Sequence, residues 1–188
     1  AAVAAPLSSQ PVLEVRDAAG NVVSSASAAV TAVIASGGGT LAGNTTVSTT
    51  NGVAAFTDLS LTGTVGQRTL SFTAPALAPV TSAAFALLPG AAARVVITRQ
   101  PVGGAVAAPL LTQPIVELRD VSGNLSTGST ATVTAGLSGF TGTVGGTVAV
   151  AAVGGTATVS NLQVNGQPGT YALTFATSGV PGVTAGPM

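Results

Sequence analysis

Apolar and polar residues alternate with a period of two in the most informative stretches of the chain. In Leu13-Glu14-Val15-Arg16 the apolar residues fall on one side and the charged pair on the other, and Val116-Glu117-Leu118-Arg119 repeats the arrangement. Successive side chains of a strand point to opposite faces, so both stretches predict half-buried strands. Each runs into turn chemistry, Asp17-Ala18-Ala19-Gly20-Asn21 and Asp120-Val121-Ser122-Gly123-Asn124. Asp bonds its own backbone there, and Gly and Asn tolerate positive φ. Further strands are predicted over Ala29–Ala35, Thr45–Thr49, Val53–Thr57, Thr69–Thr73, Ser82–Leu87 and Arg94–Thr98, separated by Gly, Asn and Pro clusters. No helix is needed.

The pattern recurs. With a shift of 103 residues and no gap, Ala2-Val3-Ala4-Ala5-Pro6-Leu7 aligns with Ala105-Val106-Ala107-Ala108-Pro109-Leu110, Gln10-Pro11 with Gln113-Pro114, and Arg16-Asp17 with Arg119-Asp120. Val30-Thr31-Ala32, Gly52, Leu59, Gly63, Gly66, Leu70 and Phe72 also meet identical residues, and 30 of the 85 overlapping positions agree. A period near 100 is the size of a domain and not of a solenoid unit, so each repeat is expected to own a core. The boundary is expected near Leu88-Pro89-Gly90, giving one domain over residues 1–90 and another over 91–188. About seven short strands per repeat, with turn signals every 8–12 residues, predict an all-β fold of two tandem immunoglobulin-like antiparallel β-sandwiches. A β-helix would show rungs at a shorter period, which the sequence lacks.

Composition narrows the function classes. Of 188 residues only 5% are charged, five Arg against five acids, and there is no Cys, His or Lys. The five Arg are scattered at 16, 68, 94, 99 and 119, so no basic stripe is available for phosphates and no nucleic-acid partner is expected. No run reaches the 18 or so apolar residues of a spanning helix, so no membrane span is expected. The missing residue types remove disulfides, thiol and imidazole metal ligands, the usual nucleophile and base pairs, and Lys–Asn cross-links. No catalytic, cofactor-binding or metal-binding residues are therefore assigned, and the chain is not expected to be an enzyme. A neutral, Thr-, Ser- and Gly-rich β composition fits an exported protein. The first residues have neither the basic start nor the apolar core of an intact signal peptide.

At Gln10-Pro11-Val12-Leu13-Glu14-Val15-Arg16-Asp17-Ala18-Ala19-Gly20-Asn21, and again at Asn51-Gly52-Val53-Ala54-Ala55-Phe56-Thr57-Asp58-Leu59-Ser60-Leu61, the chain resembles the bacterial immunoglobulin-like repeats of invasin and intimin type, the Big-1 repeats. The resemblance implies a β-sandwich used as a stalk or adhesive module at the cell surface. It carries over no catalytic residues.

Several residues have a functional reading and a plainer one. Asp17, Asn21, Asp120 and Asn124 offer oxygens to calcium, but so few carboxylates favour a turn role. Asn44-Thr45-Thr46 and Asn124-Leu125-Ser126 match the glycosylation pattern, which arises by chance in such a composition. Gly37-Gly38-Gly39 reads as a loop, since no helix or Lys follows. Glu14 and Glu117 stand in separate domains and form no acid–base pair. Tyr171, just after Gly169, has the placement of a tyrosine corner, but Arg68 takes its place in the first repeat, so a half-buried strand tyrosine is the plainer reading. The chain starts and ends out of phase with the repeat, as a segment of a longer array would, leaving the first repeat without a counterpart of Arg94–Thr98. The expected function is a structural segment of a bacterial extracellular or cell-surface fibre or stalk. Its partners are then itself, or neighbouring repeats, joined end to end by strand complementation. The alternative is an adhesin module that binds a host protein or a glycan through strand-end loops.

Overall fold

Eighteen strands and no helix make up the described part of the computed structural model, residues 1–139 and 141–188. The fold is all-β, two immunoglobulin-like antiparallel sandwiches in tandem, and the chain divides into one unit over Ala1–Gly90 and another over Ala91–Met188.

In the first unit the strands are β1 (Val12–Glu14), β2 (Ala29–Ser36), β3 (Thr40–Ala42), β4 (Thr46–Ser48), β5 (Val53–Ala55), β6 (Ser60–Thr62), β7 (Gly66–Thr73), β8 (Val80–Thr81) and β9 (Phe85–Leu87). β1 pairs with β5. The main sheet runs β4-β2-β7, with β8 and β9 following each other along the far edge of β7, and β3 pairs with β6. Of the strand expected over Ser82–Leu87 only Phe85–Leu87 forms, as β9, and β8 lies just before the expected start. Ser82 interrupts the ladder, its hydroxyl accepting from the Leu70 N–H at 3.0 Å while its own N–H donates to the Leu70 carbonyl at 2.8 Å. Inward-facing positions of the paired strands bury Ala54, Val30, Ala32, Leu61, Leu70, Phe72 and Leu87, and Phe56 tilts against Phe72 at 5.6 Å between ring centres. Each large side chain taken from water in this way contributes roughly 1.5–3 kcal/mol.

The second unit holds β10 (Arg94–Arg99), β11 (Ile115–Arg119), β12 (Thr132–Ser138), β13 (Gly142–Gly145), β14 (Ala149–Ala151), β15 (Thr156–Thr158), β16 (Gln163–Gly166), β17 (Ala172–Thr177) and β18 (Val180–Thr184). One sheet runs β10-β11-β15, the other β14-β12-β17-β18, and β13 pairs with β16. Each sheet collects strands far apart in sequence, so the chain crosses repeatedly between sheets, as in immunoglobulin-like folds. Val116, Leu118 and Ala157 from the first sheet share a core with Val133, Ala135, Leu173 and Phe175 from the second.

Registers agree across the units. Leu13 opposes Ala54 as Val116 opposes Ala157, Val30 opposes Val47 as Val133 opposes Val150, Leu41 opposes Leu61 as Val144 opposes Val164, and Phe72 opposes Val80 as Phe175 opposes Val183. Every one of these pairs is related by the same shift of 103 residues.

Candidate functional site

The acidic turns spend their carboxylates locally. Asp17 Oδ1 accepts the N–H groups of Ala19 and Asn21, each at 2.9 Å, and the Asn21 side-chain amide donates to both carboxylate oxygens. Asp120 receives Ser122 at 2.9 Å and Asn124 at 3.0 Å in the same way, with the Asn124 amide at 2.9 Å from Oδ2. The Asn21 N–H first, and then its side-chain amide, hold the Asp17 carboxyl below its ordinary range, because both stabilise the ionised form. Glu14 and Glu117 are likewise engaged, each within an ion pair to Arg16 or Arg119 on the same strand face, and each Arg also donates to the carbonyl of its turn glycine, Gly20 or Gly123. Among the described residues no three acidic side chains come together.

Both glycosylation-pattern asparagines are tied down. Asn44 Nδ2 donates to Asp58 Oδ2 at 3.0 Å, and Asn124 Nδ2 to Asp120. Gly37, Gly38 and Gly39 all take positive φ, between 69° and 102°, in the connection from β2 to β3.

Two side chains outside the expected sites carry much of the construction. Gln10 donates to the carbonyls of Leu7 and Leu59 and accepts from the Leu59 N–H at 3.0 Å, stapling the entry of β1 to the segment before β6. Gln113 does the same with Leu110 and Leu162. The repeat alignment pairs these two glutamines but gives no reason for them. Their role appears only when residues 49 positions apart are seen to adjoin.

Tyr171 makes the corner. Its hydroxyl donates to the Gln167 carbonyl four residues upstream, at the start of β17. The mismatch with Arg68 concealed a shared contact: the Arg68 guanidinium donates to the Thr64 carbonyl, the position equivalent to Gln167, and also to the Gln67 carbonyl at 2.9 Å. The corner is therefore common to both units, built by tyrosine in one and arginine in the other. Arg68 is only 3% exposed, and its Nε has no partner among the described residues.

The clearest asymmetry is at the edge of β1. In the second unit β10 covers the outer edge of β11, pairing Arg94 with Arg119, Val95 with Leu118, Val96 with Glu117 and Ile97 with Val116. In the first unit β1 pairs with β5 alone among the described strands. Val116 and Leu118 are fully buried, while Leu13 and Val15 at the same positions are half-buried and Val12 is 63% exposed. A second open place, a cleft beside Tyr171 lined by small and apolar residues from Gly103 to Val106 and by Met188, carries no charged side chain.

No protein-family model matches the chain, and no curated protein matches it either. Among solved structures, the chain is similar to the D0-D1 domain of intimin, at 16% identity and a TM-score of 0.35, over 98% of this chain and 93% of that one. It is also similar to a β-glycosidase from Bacteroides vulgatus, at 15% identity and a TM-score of 0.40 over 83% of this chain, and to the β-glucuronidase of Parabacteroides merdae, at 12% and 0.38 over 73%. The chain spans about a fifth of the length of those two enzymes, 20% and 18%. At such identities and scores these likenesses assign no function; the all-β immunoglobulin-like architecture stands on the strand order and registers above.

Proposed function

We propose that the chain is a structural repeat segment of a bacterial extracellular or cell-surface fibre or stalk, assembling end to end through open strand edges. The observation that carries the reading is the identical pairing register of two successive sandwiches, which is what a repeated spacer requires. The engagement of Asp17, Asp120, Glu14 and Glu117 in their own turns and strands supports a load-bearing role and no catalysis. Sparse charge makes the cohesion of such a rod insensitive to salt.

Electron microscopy of the purified chain and of native material tests the reading. Beaded or helical filaments, or long rods, are expected. Compact monomers at high concentration by light scattering, with no elongated particle in either sample, would overturn it. A host-protein or glycan array giving specific binding that loop substitutions abolish would replace it with the adhesin reading.

A further inference from the structure

The turn between β4 and β5 and the turn between β14 and β15 share a backbone and differ in chemistry. Thr50 and Val53 exchange both main-chain bonds, at 2.8 and 3.0 Å, and Val153 and Thr156 do so at 2.9 and 3.1 Å. The two residues between take positive φ in each case, 52° and 76° at Asn51 and Gly52, 57° and 79° at Gly154 and Gly155. Positive φ at both central positions defines a type I′ turn, which Asn-Gly and Gly-Gly both suit. Either dipeptide satisfies the fold, but only Asn-Gly sets a carboxamide beside a main-chain nitrogen that no side chain shields.

The surroundings leave both groups unheld. Asn51 is exposed, and its carboxamide makes no hydrogen bond among the described residues. In the second unit the Gly155 N–H donates to the Ser129 carbonyl at 3.1 Å. The equivalent carbonyl in the first unit, that of Ala26, accepts the Thr49 hydroxyl at 2.7 Å instead, and the Gly52 N–H has no acceptor among the described residues. The residue equivalent to Thr49 is Ala152, which has no hydroxyl to compete. The chain's other Asn-Gly step, Asn165-Gly166, lies within a strand. There Asn165 is half-buried and opposite Thr143, Gly166 is opposite Gly142, and the Asn165 side-chain oxygen accepts from Gln163 at 3.3 Å.

We propose that Asn51 is a site of spontaneous deamidation, and that the altered turn loosens one end of the β1–β5 ladder. Hydroxide from solvent removes the Gly52 N–H proton, and the nitrogen attacks Cγ of Asn51. The N–Cγ bond forms as the Cγ–Nδ2 bond breaks, and the Nδ2 group leaves as ammonia after taking a proton from water. Water then adds to one of the two carbonyls of the cyclic imide. Opening at Cγ leaves an ordinary aspartate; opening at the main-chain carbonyl leaves isoaspartate, whose main chain runs through the former side chain and is one carbon longer. Ring closure at Asn51 needs only an isolated two-bond bridge to yield, whereas at Asn165 a ladder must part. With the extra carbon a two-residue turn cannot keep both Thr50–Val53 bonds. The Gly52 carbonyl, which accepts the Val15 N–H at 2.8 Å, moves with it. Gly155 holds Leu118 in the same way, and Gly154 before it has no carboxamide to react. The site depends neither on the fibre reading nor on any partner.

The test holds the full chain at mildly alkaline pH in heavy-oxygen water and maps it by tandem mass spectrometry, with fragmentation that separates aspartate from isoaspartate. Asn51 should lose ammonia and take up one solvent oxygen at least about tenfold faster than Asn165, and faster still as hydroxide rises. In isoaspartate-bearing molecules the Val15 amide should exchange at least about tenfold faster than in unmodified ones, with Leu118 unchanged. Asn51→Gly, which installs the turn of the second unit, should abolish both changes and leave the ladders protected. The proposal is overturned if Asn51 stays intact in the folded chain while the chain unfolded in urea converts there, because the turn would then protect it. It falls equally if Asn165 converts as fast as Asn51, if isoaspartate at this turn leaves Val15 exchange unchanged, or if the Asn51→Gly chain loses Val15 protection under the same treatment.

Discussion

The turn after β1 and the turn after β11 carry the same Asp, Gly and Asn and make the same bonds, yet one lies open to solvent and the other is sealed. Asp120 is 0% exposed, whereas Asp17 is exposed. The ion pairs beside them follow suit: the side chains of Arg16 and Glu14 are 58% and 38% exposed, those of Arg119 and Glu117 36% and 20%. Local sequence dictates the hydrogen bonds of a turn, because Asp, Gly and Asn close it with their own groups. Burial is dictated by what lies alongside, and only β11 has β10 there. Matching contacts in unequal surroundings allow each contribution to be separated by substitution.

The largest effect is expected where both units are under the same constraint. Gly52 and Gly155 sit at φ +76° and +79°, and a Cβ on either would lie 2.5 Å from a carbonyl oxygen, that of Val23 or Ser126. Both the left-handed backbone and the approach to a main-chain oxygen exclude a side chain. Gly52→Ala and Gly155→Ala should each cost about 3 kcal/mol, confined to the mutated unit, as read by hydrogen exchange during denaturant titration. A loss shared equally by both units would break the view that each carries its own core.

Next come the stapling glutamines. Gln10→Leu removes the side-chain partners of the Leu59 N–H and the Leu7 carbonyl, and Gln113→Leu those of the Leu162 N–H and the Leu110 carbonyl, while the Leu59 and Leu162 carbonyls keep the N–H groups of Leu7 and Leu110 at 2.8 and 2.9 Å. Each should cost about 2 kcal/mol in urea unfolding. Costs that differ by more than about 1 kcal/mol would show that the staple depends on the covering strand and not on the local bonds.

The corner gives a smaller effect of opposite sign. Arg68 buries a guanidinium whose Nε has no partner among the described residues, while Tyr171 reaches the equivalent carbonyl with a neutral hydroxyl. Arg68→Tyr should therefore raise the stability of the first unit by about 1 kcal/mol, since it removes a buried charge while keeping the bond. A neutral or destabilising result in thermal unfolding would mean that the glycines packed on Arg68, Gly37 among them, are shaped for the longer side chain.

Much of this architecture was legible because two periodicities were strong. Alternation marked β1 and β11, turn clusters bounded β2, β7 and β10, and the gapless shift of 103 residues carried the β2–β7 register onto β12–β17 as far as Ile34 opposite Leu70, where a bulge sets the first unit apart. The β3–β6 and β13–β16 pairs were missed because three- or four-residue strands among Gly and Thr hold too few apolar positions to show alternation; each has one clear apolar pair, Leu41 with Leu61 and Val144 with Val164. The shared corner was hidden because alignment compares residue types, and Arg and Tyr reach the same carbonyl by different chemistry. The edge of β1 was visible as an unmatched strand, but its exposure depends on contacts that no linear pattern contains.

The smallest expected effect concerns acid. The Asp17 carboxyl is held below its ordinary value of 3.8, chiefly by the Asn21 N–H and then by the Asn21 side-chain amide. A carboxyl depressed in the folded state contributes stability that is fully present above its unfolded value and is lost as pH falls through the folded one. The turn of the first unit should hold unchanged from neutral pH to about pH 5 and weaken below about pH 4. Because this carboxyl is fully exposed, water screens its interactions and the loss should be slight. The chemical shift of the Asn21 amide, followed by NMR from pH 6 to pH 2, reads the event directly. Its midpoint should fall below 3.8, and Asp17→Asn should abolish the transition while leaving the β1–β5 ladder protected. A midpoint at or above the ordinary value would mean that Asn21 does not hold the carboxylate in solution, and that the exposed turn, unlike its sealed counterpart, needs a covering strand to keep its bonds.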